Sequence, residues 1–233
     1  MTTFYEDINY GELRLDGAMI TKVCEGLIAF IWQNYQENNC NTYLIDTDMR
    51  ILIDPGHRHL FDHVLRGLNA LGIQLTGIDV VLITHAHPDH LEGISLFKKP
   101  TLFTMGLDDY RLMKDLAGPS LQMPEPDFFL REGDLKLGSR HFQVIASPGH
   151  SPGSVCIYWP DKKALFTGDV AFFQGIGRTD LPGGDGALLK ESIRRIAALD
   201  VEYLLTGHGN VVAGKDKVEA NFRMIEDYWF DYL

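Results

Sequence analysis

The sequence predicts an α+β fold in which two β-sheets pack face to face with helices outside. Three observations predict it. The first third reads as short strands rich in β-branched and aromatic residues, the middle alternates strand with helix, and the second half repeats strands followed by helices.

In chain order, "GELRLDG", "GLIAFIWQNY", "NTYLIDT" and "MRILIDPG" are strand-like and close enough in sequence to pair as antiparallel neighbours. From His57 the period becomes helical: Leu60, Val64, Leu65, Leu68 and Leu71 recur at helical spacing, and Gly72 stands where a C-terminal cap belongs. A strand, "IDVVLITH", precedes a helix begun at "THAHPDH" and running through "LEGISLFKK"; "PTLFTM" is a further strand and "LDDYRLMKDLAG" a helix. This alternation implies parallel strands covered by helices. "HFQVIASPGH", "SVCIYWP" and "KALFTGDV" are strands, the last two joined by the turn "PDKK". The amphipathic helices "ALLKESIRRIAALD" and "KVEANFRMIEDYWF" flank the strand "VEYLLTGHG". No repeat or linker marks a boundary, so residues 1–233 are expected to form one domain, with a C-terminal packing helix at about 215–230.

Composition excludes several functions. A net charge of -11 argues against binding nucleic acid, which draws affinity from Lys and Arg neutralising phosphates. No apolar run approaches the roughly 18 residues that span a bilayer. The N-terminus lacks the features of a secretory signal, so the cytoplasm is the expected compartment. Cys24, Cys40 and Cys156 form no CxxC pair and read as structural thiols.

The chemistry concentrates at strand ends. His85, His87, His90, His150 and His208, with Asp89 and Asp169, each follow a strand, and ligands bind beyond strand ends in sheets covered by helices. His85 and His87 are two apart, so on an extended stretch they point the same way and can share one ion. Pro88 suits a first helical turn, which directs Asp89 and His90 toward a second ion. Imidazole and carboxylate donors suit zinc, iron or manganese, and the absence of Cys at ligand spacing points to a catalytic rather than a structural site. His57, His59 and His63 are a weaker second cluster, because no carboxylate or Cys stands at ligand spacing; they and His141 are read as structural.

"THAHPDH" resembles the HxHxDH motif of the metallo-β-lactamase superfamily, and "SPGHSPGS", "FTGD" and "TGHG" resemble its other metal-binding segments in order. The resemblance covers nearly the whole chain, to about Val212. It implies a four-layer αββα sandwich and two divalent metal ions, zinc first, with iron or manganese as alternatives. His85, His87 and His150 would hold one ion, Asp89, His90 and His208 the other, with Asp169 bridging. Asp89 and Asp169 would be the catalytic carboxylates that orient an activated water, and Asp54 in "ILIDPG" would orient a ligand histidine.

"GIGRTDLPGGD" resembles the glyoxalase II-like branch, which includes hydroxyacylglutathione hydrolases and, with a similar GRTD segment, persulfide dioxygenases. The resemblance implies a small-molecule substrate, with thioester hydrolysis the leading reading. A mononuclear iron dioxygenase acting through His85, His150 and Asp169 is the alternative. Arg178 is the candidate substrate-binding residue, or else the partner of Asp180 or Asp185. Two departures stand out. Only 25 residues follow His208 in this chain of 233, where long hydroxyacylglutathione hydrolases carry a basic glutathione-gripping segment, and Ser147 replaces the usual Thr. The aromatic end of the last helix is read as covering a neighbouring segment or the partner in a homodimer. Flavodiiron chemistry is disfavoured because position 87 is His where those proteins carry Glu, and an inactive metal-binding scaffold because the donor set is complete.

Overall fold

The computed structural model describes residues 11–15, 18–34, 36–117 and 123–233. Asp16, Gly17, Tyr35 and Gly118, which the sequence assigns to strand or helix ends, lie outside the described residues, as does the N-terminal segment 1–10.

Two sheets carry the fold. The first joins eight strands in sequence order: β1 (Gly11–Leu15), β2 (Ala18–Cys24), β3 (Leu27–Phe30), β4 (Thr42–Asp46), β5 (Arg50–Ile53), β6 (Val80–Leu82), β7 (Leu102–Gly106) and β8 (Phe128–Leu130). Neighbours from β1 to β5 are antiparallel and those from β5 to β8 parallel. The parallel run holds the crossover segments α1 (Asp62–Ala70), α2 (Pro88–Leu91) and α3 (Leu107–Ala117). The second sheet is built from β9 (Gly133–Leu137), β10 (Arg140–Ala146), β11 (Val155–Trp159), β12 (Ala164–Gly168), β15 (Tyr203–Thr206) and β16 (Val212–Ala213), with β12 and β15 parallel. Between them lie a small hairpin, β13 (Ala171–Phe172) with β14 (Gly175–Ile176), and the helix α4 (Gly186–Ala197); α5 (Lys215–Trp229) follows β16.

The period-2 pattern of the strands sorts their side chains into layers. Tyr43, Ile45, Ile51, Ile53, Val80 and Leu82 of the first sheet meet Val144, Val155, Ile157, Trp159, Ala164 and Phe166 of the second in one core. The alternate residues Leu44, Leu52 and Val81 face Val64 and Leu68 of α1. On the other side Tyr158, Leu165 and Leu204 face Leu189, Ile193 and Ile196 of α4 and Val218, Phe222 and Ile225 of α5. The result is the expected αββα sandwich. Among the described residues no helix is long and apolar enough to cross a membrane.

Some elements differ from expectation. The helix expected through Lys99 ends after one turn at Leu91, and a 3-10 turn, Glu92–Leu96, follows. Gly93 is drawn against the Pro55 backbone, with its N–H donating to the Gly56 carbonyl at 2.7 Å, and this contact holds the chain away from a longer helix. The strand expected through residue 35 stops at Phe30, because the Trp32 N–H turns to the Asn41 side chain at 3.0 Å. Strand β8, Phe128–Leu130, is only three residues long, and β9, Gly133–Leu137, carries just two apolar side chains, so neither shows a legible pattern. Cys40 and Cys156 are buried, and Cys24 is partly so.

The two sheets are locked where Phe166 meets the Tyr43 ring edge-on at 5.4 Å. Phe166→Ala should therefore destabilise the fold by ~3–5 kcal/mol in denaturant unfolding, and a loss below ~1 kcal/mol would show that this contact does not join the sheets.

Candidate metal centre

The carboxyl ends of strands from both sheets meet at one edge of the sandwich. His85, His87, Asp89 and His90 follow β6, His150 follows β10, Asp169 follows β12 and His208 follows β15. All seven expected donors are brought together there. The His87 backbone is extended, at φ -70° and ψ 145°, and Pro88 opens α2, so the motif divides into the extended and helical halves that its spacing suggests.

Three imidazole nitrogens converge in the first group. His150 Nε2 lies 3.2 Å from His85 Nε2 and 2.8 Å from His87 Nδ1. The far nitrogens establish which of these atoms carry lone pairs. The Nδ1–H of His150 donates to the Arg178 carbonyl at 2.8 Å. Nδ1 of His85 lies 3.2 Å from the Thr84 hydroxyl, whose own proton goes to Asp54 at 2.6 Å. That leaves Nε2 of both rings as bare acceptors facing one another, an arrangement that a cation relieves. Burial, reinforced by His150 alongside, pushes the His87 imidazole down to about 4. His85 is held well below its usual range by burial and by His90 nearby.

The second group is ionic. Nε2 of His208 lies 3.2 Å from Asp89 Oδ2, and Nε2 of His90 lies 4.0 Å from the same oxygen. Burial opposes the charge on Asp89, but the hydrogen bond from His208 and the nearby His90 outweigh it and bring the carboxyl to about 2. Burial likewise opposes the His208 charge, and Asp169 and Asp89 overcome it, pushing the imidazole up to about 9. His90 is fully buried and still raised, because Asp169 and Asp54 flank it.

Asp169 addresses both groups. Its Oδ1 is 3.1 Å from His90 Nε2, and its Oδ2 is 3.4 Å from His208 Nε2 and 3.6 Å from His150 Nε2. Oδ1 is buried and accepts no aligned hydrogen bond. An orphaned carboxylate oxygen set between the bare nitrogens of the first group and the imidazole–carboxylate cluster of the second is a donor pattern that a pair of divalent cations fits. The triads His85, His87, His150 and Asp89, His90, His208 each have their donor atoms within 4.8 Å of one another, as do His85, His90 and Asp169.

Asp54 lies directly beneath. Its backbone is left-handed at φ 53°, which Asp tolerates better than most residues. In this pose it accepts from Thr84 N–H at 2.8 Å and the Thr84 hydroxyl, and lies 2.9 Å from His90 Nδ1. The His90 ring is thereby oriented with Nε2 toward Asp169. Arg178 reaches the centre through its carbonyl; its guanidinium lies outside, paired with Asp180 through two hydrogen bonds of 2.7 Å.

Several supporting residues were not legible in the sequence. Asp109, fully buried at the start of α3, accepts from Ala86 N–H at 2.7 Å, the Ser151 hydroxyl at 2.8 Å and Gly153 N–H at 2.5 Å. It thus clips the His85–His87 loop to the His150 loop. Asn38 donates to Asp89 Oδ2 at 2.7 Å, and Asn41 donates to the Thr206 and Gly209 carbonyls on either side of His208. For the two asparagines the sequence offers only a short polar run, "NNCN", between two strand-like segments.

A family model described as the metallo-beta-lactamase superfamily matches residues 35–208. The chain is 33% identical to a probable metallo-hydrolase of Methanocaldococcus jannaschii over 73% of this chain and 88% of that protein. It is 32% identical to the hydroxyacylglutathione hydrolase GloC of Haemophilus influenzae over 78% of this chain and 90% of that protein. A crystal structure of a protein in a di-iron-bound form superposes with a TM-score of 0.64 at 32% identity, covering 75% of this chain and 89% of that one.

Two outcomes are expected of this geometry. Asp109→Asn turns an amide N–H toward donors that now meet a carboxylate, so the first group should lose roughly 10–100-fold in metal affinity, read as metal retained against a chelator. Unchanged retention would mean that the two loops are held without it. In metal-free protein at pH 7, His208, at about 9, carries a proton that an incoming cation must displace. Metal uptake should release this proton at pH 7, with the release fading as the pH rises past 9. Calorimetry in two buffers of different ionisation enthalpy measures it, and heats independent of buffer would contradict it.

Proposed function

The chain belongs to the metallo-beta-lactamase superfamily, as a metallo-hydrolase, and from that premise we propose that it is a thioester hydrolase of glyoxalase II type acting on a small molecule. One observation carries the reading: two groups of donors flank the carboxylate of Asp169, and of the seven donors His87 and His208 are partly exposed while the other five are buried. The relative named as a hydroxyacylglutathione hydrolase, matched over most of its length, supports the thioester as substrate.

In this reading His85, His87 and His150 would hold one divalent ion and Asp89, His90 and His208 the other, with Asp169 available to both. Such ions, when bound, supply Lewis acidity, bringing the pKa of water toward about 7 and polarising an acyl carbonyl. The protein's part is orientation and charge. Asp54 holds His90, the Arg178 carbonyl holds His150, and Asn38 holds Asp89, so these three donors would meet an ion in one pose. Asp89 and Asp169 bring two negative charges to the centre, while the first group contributes neutral rings.

The entrance has one apolar wall. Phe172 of the β13–β14 hairpin lies 5.9 Å from the His208 ring, ring centre to ring centre. Asn221 of α5 holds that hairpin, accepting from Gln174 N–H at 2.8 Å and donating to the Phe172 carbonyl at 2.9 Å. Arg178, exposed beside this entrance, would meet a substrate carboxylate only in competition with Asp180, whose carboxyl it holds at about 2.

The test is thiol release from a panel of acyl thioesters by protein loaded separately with zinc, iron and manganese, with oxygen uptake on glutathione persulfide followed in parallel. Thioester turnover is expected, and His85→Ala or Asp169→Ala should lower kcat/KM by more than about 100-fold together with metal content, since loss of an orienting partner alone costs 10–100-fold. Oxygen consumption with one iron per chain and no thiol release would overturn the hydrolase reading, and retained turnover in Asp169→Ala would remove that residue from its bridging place.

A further inference from the structure

Three donors stand together outside the centre just described. His57 and His59 follow the Asp54 turn, and Glu92 follows His90 in the chain. The carboxylates nearest in sequence, Asp54 and Asp62, are engaged by Thr84 and Arg66, but the fold brings another from 35 positions away: His57 Nδ1 lies 2.8 Å from Glu92 Oε2. The His57 and His59 rings are 5.1 Å apart between centres, and one donor atom from each of the three residues lies within 4.8 Å of the others.

We propose that His57, His59 and Glu92 form a third cation site, distinct from the two at the sandwich edge, for a divalent ion of the zinc or nickel class. Two imidazoles and one carboxylate are a donor set that zinc accepts while keeping a position open, and the nitrogen donors favour nickel and zinc over magnesium or calcium. Two of the three ligands are already placed by backbone. The His57 N–H donates to the buried Asn39 side chain at 2.8 Å, Gly56 N–H to the His90 carbonyl at 3.2 Å, and Gly93 N–H to the Gly56 carbonyl at 2.7 Å. The Asp54 turn and the start of the Glu92–Leu96 turn are thus joined before any ion arrives. His59 is exposed and free to complete the set by a side-chain rotation. His57 is partly buried and Glu92 is exposed, so the ion would exchange readily with solvent. His63 takes no part: its Nδ1 donates to the Leu60 carbonyl at 2.8 Å and its ring packs against Trp32.

The site fastens the turn that carries Asp54 to the segment that carries His90, from the outside. Occupancy should raise the unfolding temperature, because the ion binds only where these segments are in place.

The experiment uses protein that already holds its resident ions. In equilibrium dialysis against Zn²⁺, wild-type protein should take up one further equivalent with micromolar affinity and gain unfolding temperature. His59→Ala and Glu92→Gln should each weaken this uptake at least tenfold while retaining the resident ions. Ni²⁺ added to protein holding its resident ions alone should broaden the ring-proton resonances of His57 and His59 and leave those of His141 unaffected. No additional equivalent at high-micromolar Zn²⁺, equal uptake by His59→Ala, or equal broadening at His141 would each overturn the proposal.

Discussion

The carboxylate of Asp169 has one oxygen directed at His90 and the other at His208 and His150, and the rest of the structure is arranged around holding it there. A buried carboxylate is costly unless opposite charge surrounds it. Both sheets must therefore end at the same edge, and their strand ends must approach closely. Gly168 and Gly207 make that approach: a side chain at Gly168 would strike Thr84, and one at Gly207 would strike Asp169 itself. The Gly207 N–H donates to the Gly168 carbonyl at 2.8 Å, stitching β12 to β15 immediately beside the carboxylate.

Around that centre lies a shell of polar residues with few free groups. Asp54, Asp109, Thr84 and Asn41 are all nearly or fully buried: Asp54 and Asp109 accept from backbone and hydroxyl donors, Thr84 donates to Asp54, and Asn41 donates to carbonyls beside His208. Satisfied networks of this kind fix a single geometry, whereas one missing partner would leave the others exposed to the full cost of burial. The loops at the edge carry the donors, but residues of the helices and of other loops set their angles.

The donors were legible because each sits where a strand pattern gives way to Gly, Pro or His. The αββα layering was legible for a related reason, since Leu44, Leu52, Val81 and Leu165 alternate with inward neighbours in a strict period of two. What escaped the sequence depends on long-range encounter. Asp109 looks like any acid in a first helical turn until the fold sets it against Ala86 and Gly153. Glu92 looks like a solvated helix residue until the Asp54 turn brings His57 to it. The helix expected through Lys99 failed for the same reason, because Gly93 is claimed by the Pro55–Gly56 backbone. Arg178 was legible as a residue near the site, but only the structure separates its carbonyl, which engages His150, from its guanidinium, which does not.

The Asn221 contact with the β13–β14 hairpin separates two jobs mechanically. The ions would be gripped by loops of the two sheets, whereas the apolar wall beside His208 is propped by α5 from the outermost layer, through Asn221 and through the Trp229 N–H to the Gln174 carbonyl. Drift in α5 can reshape the mouth while leaving every donor untouched.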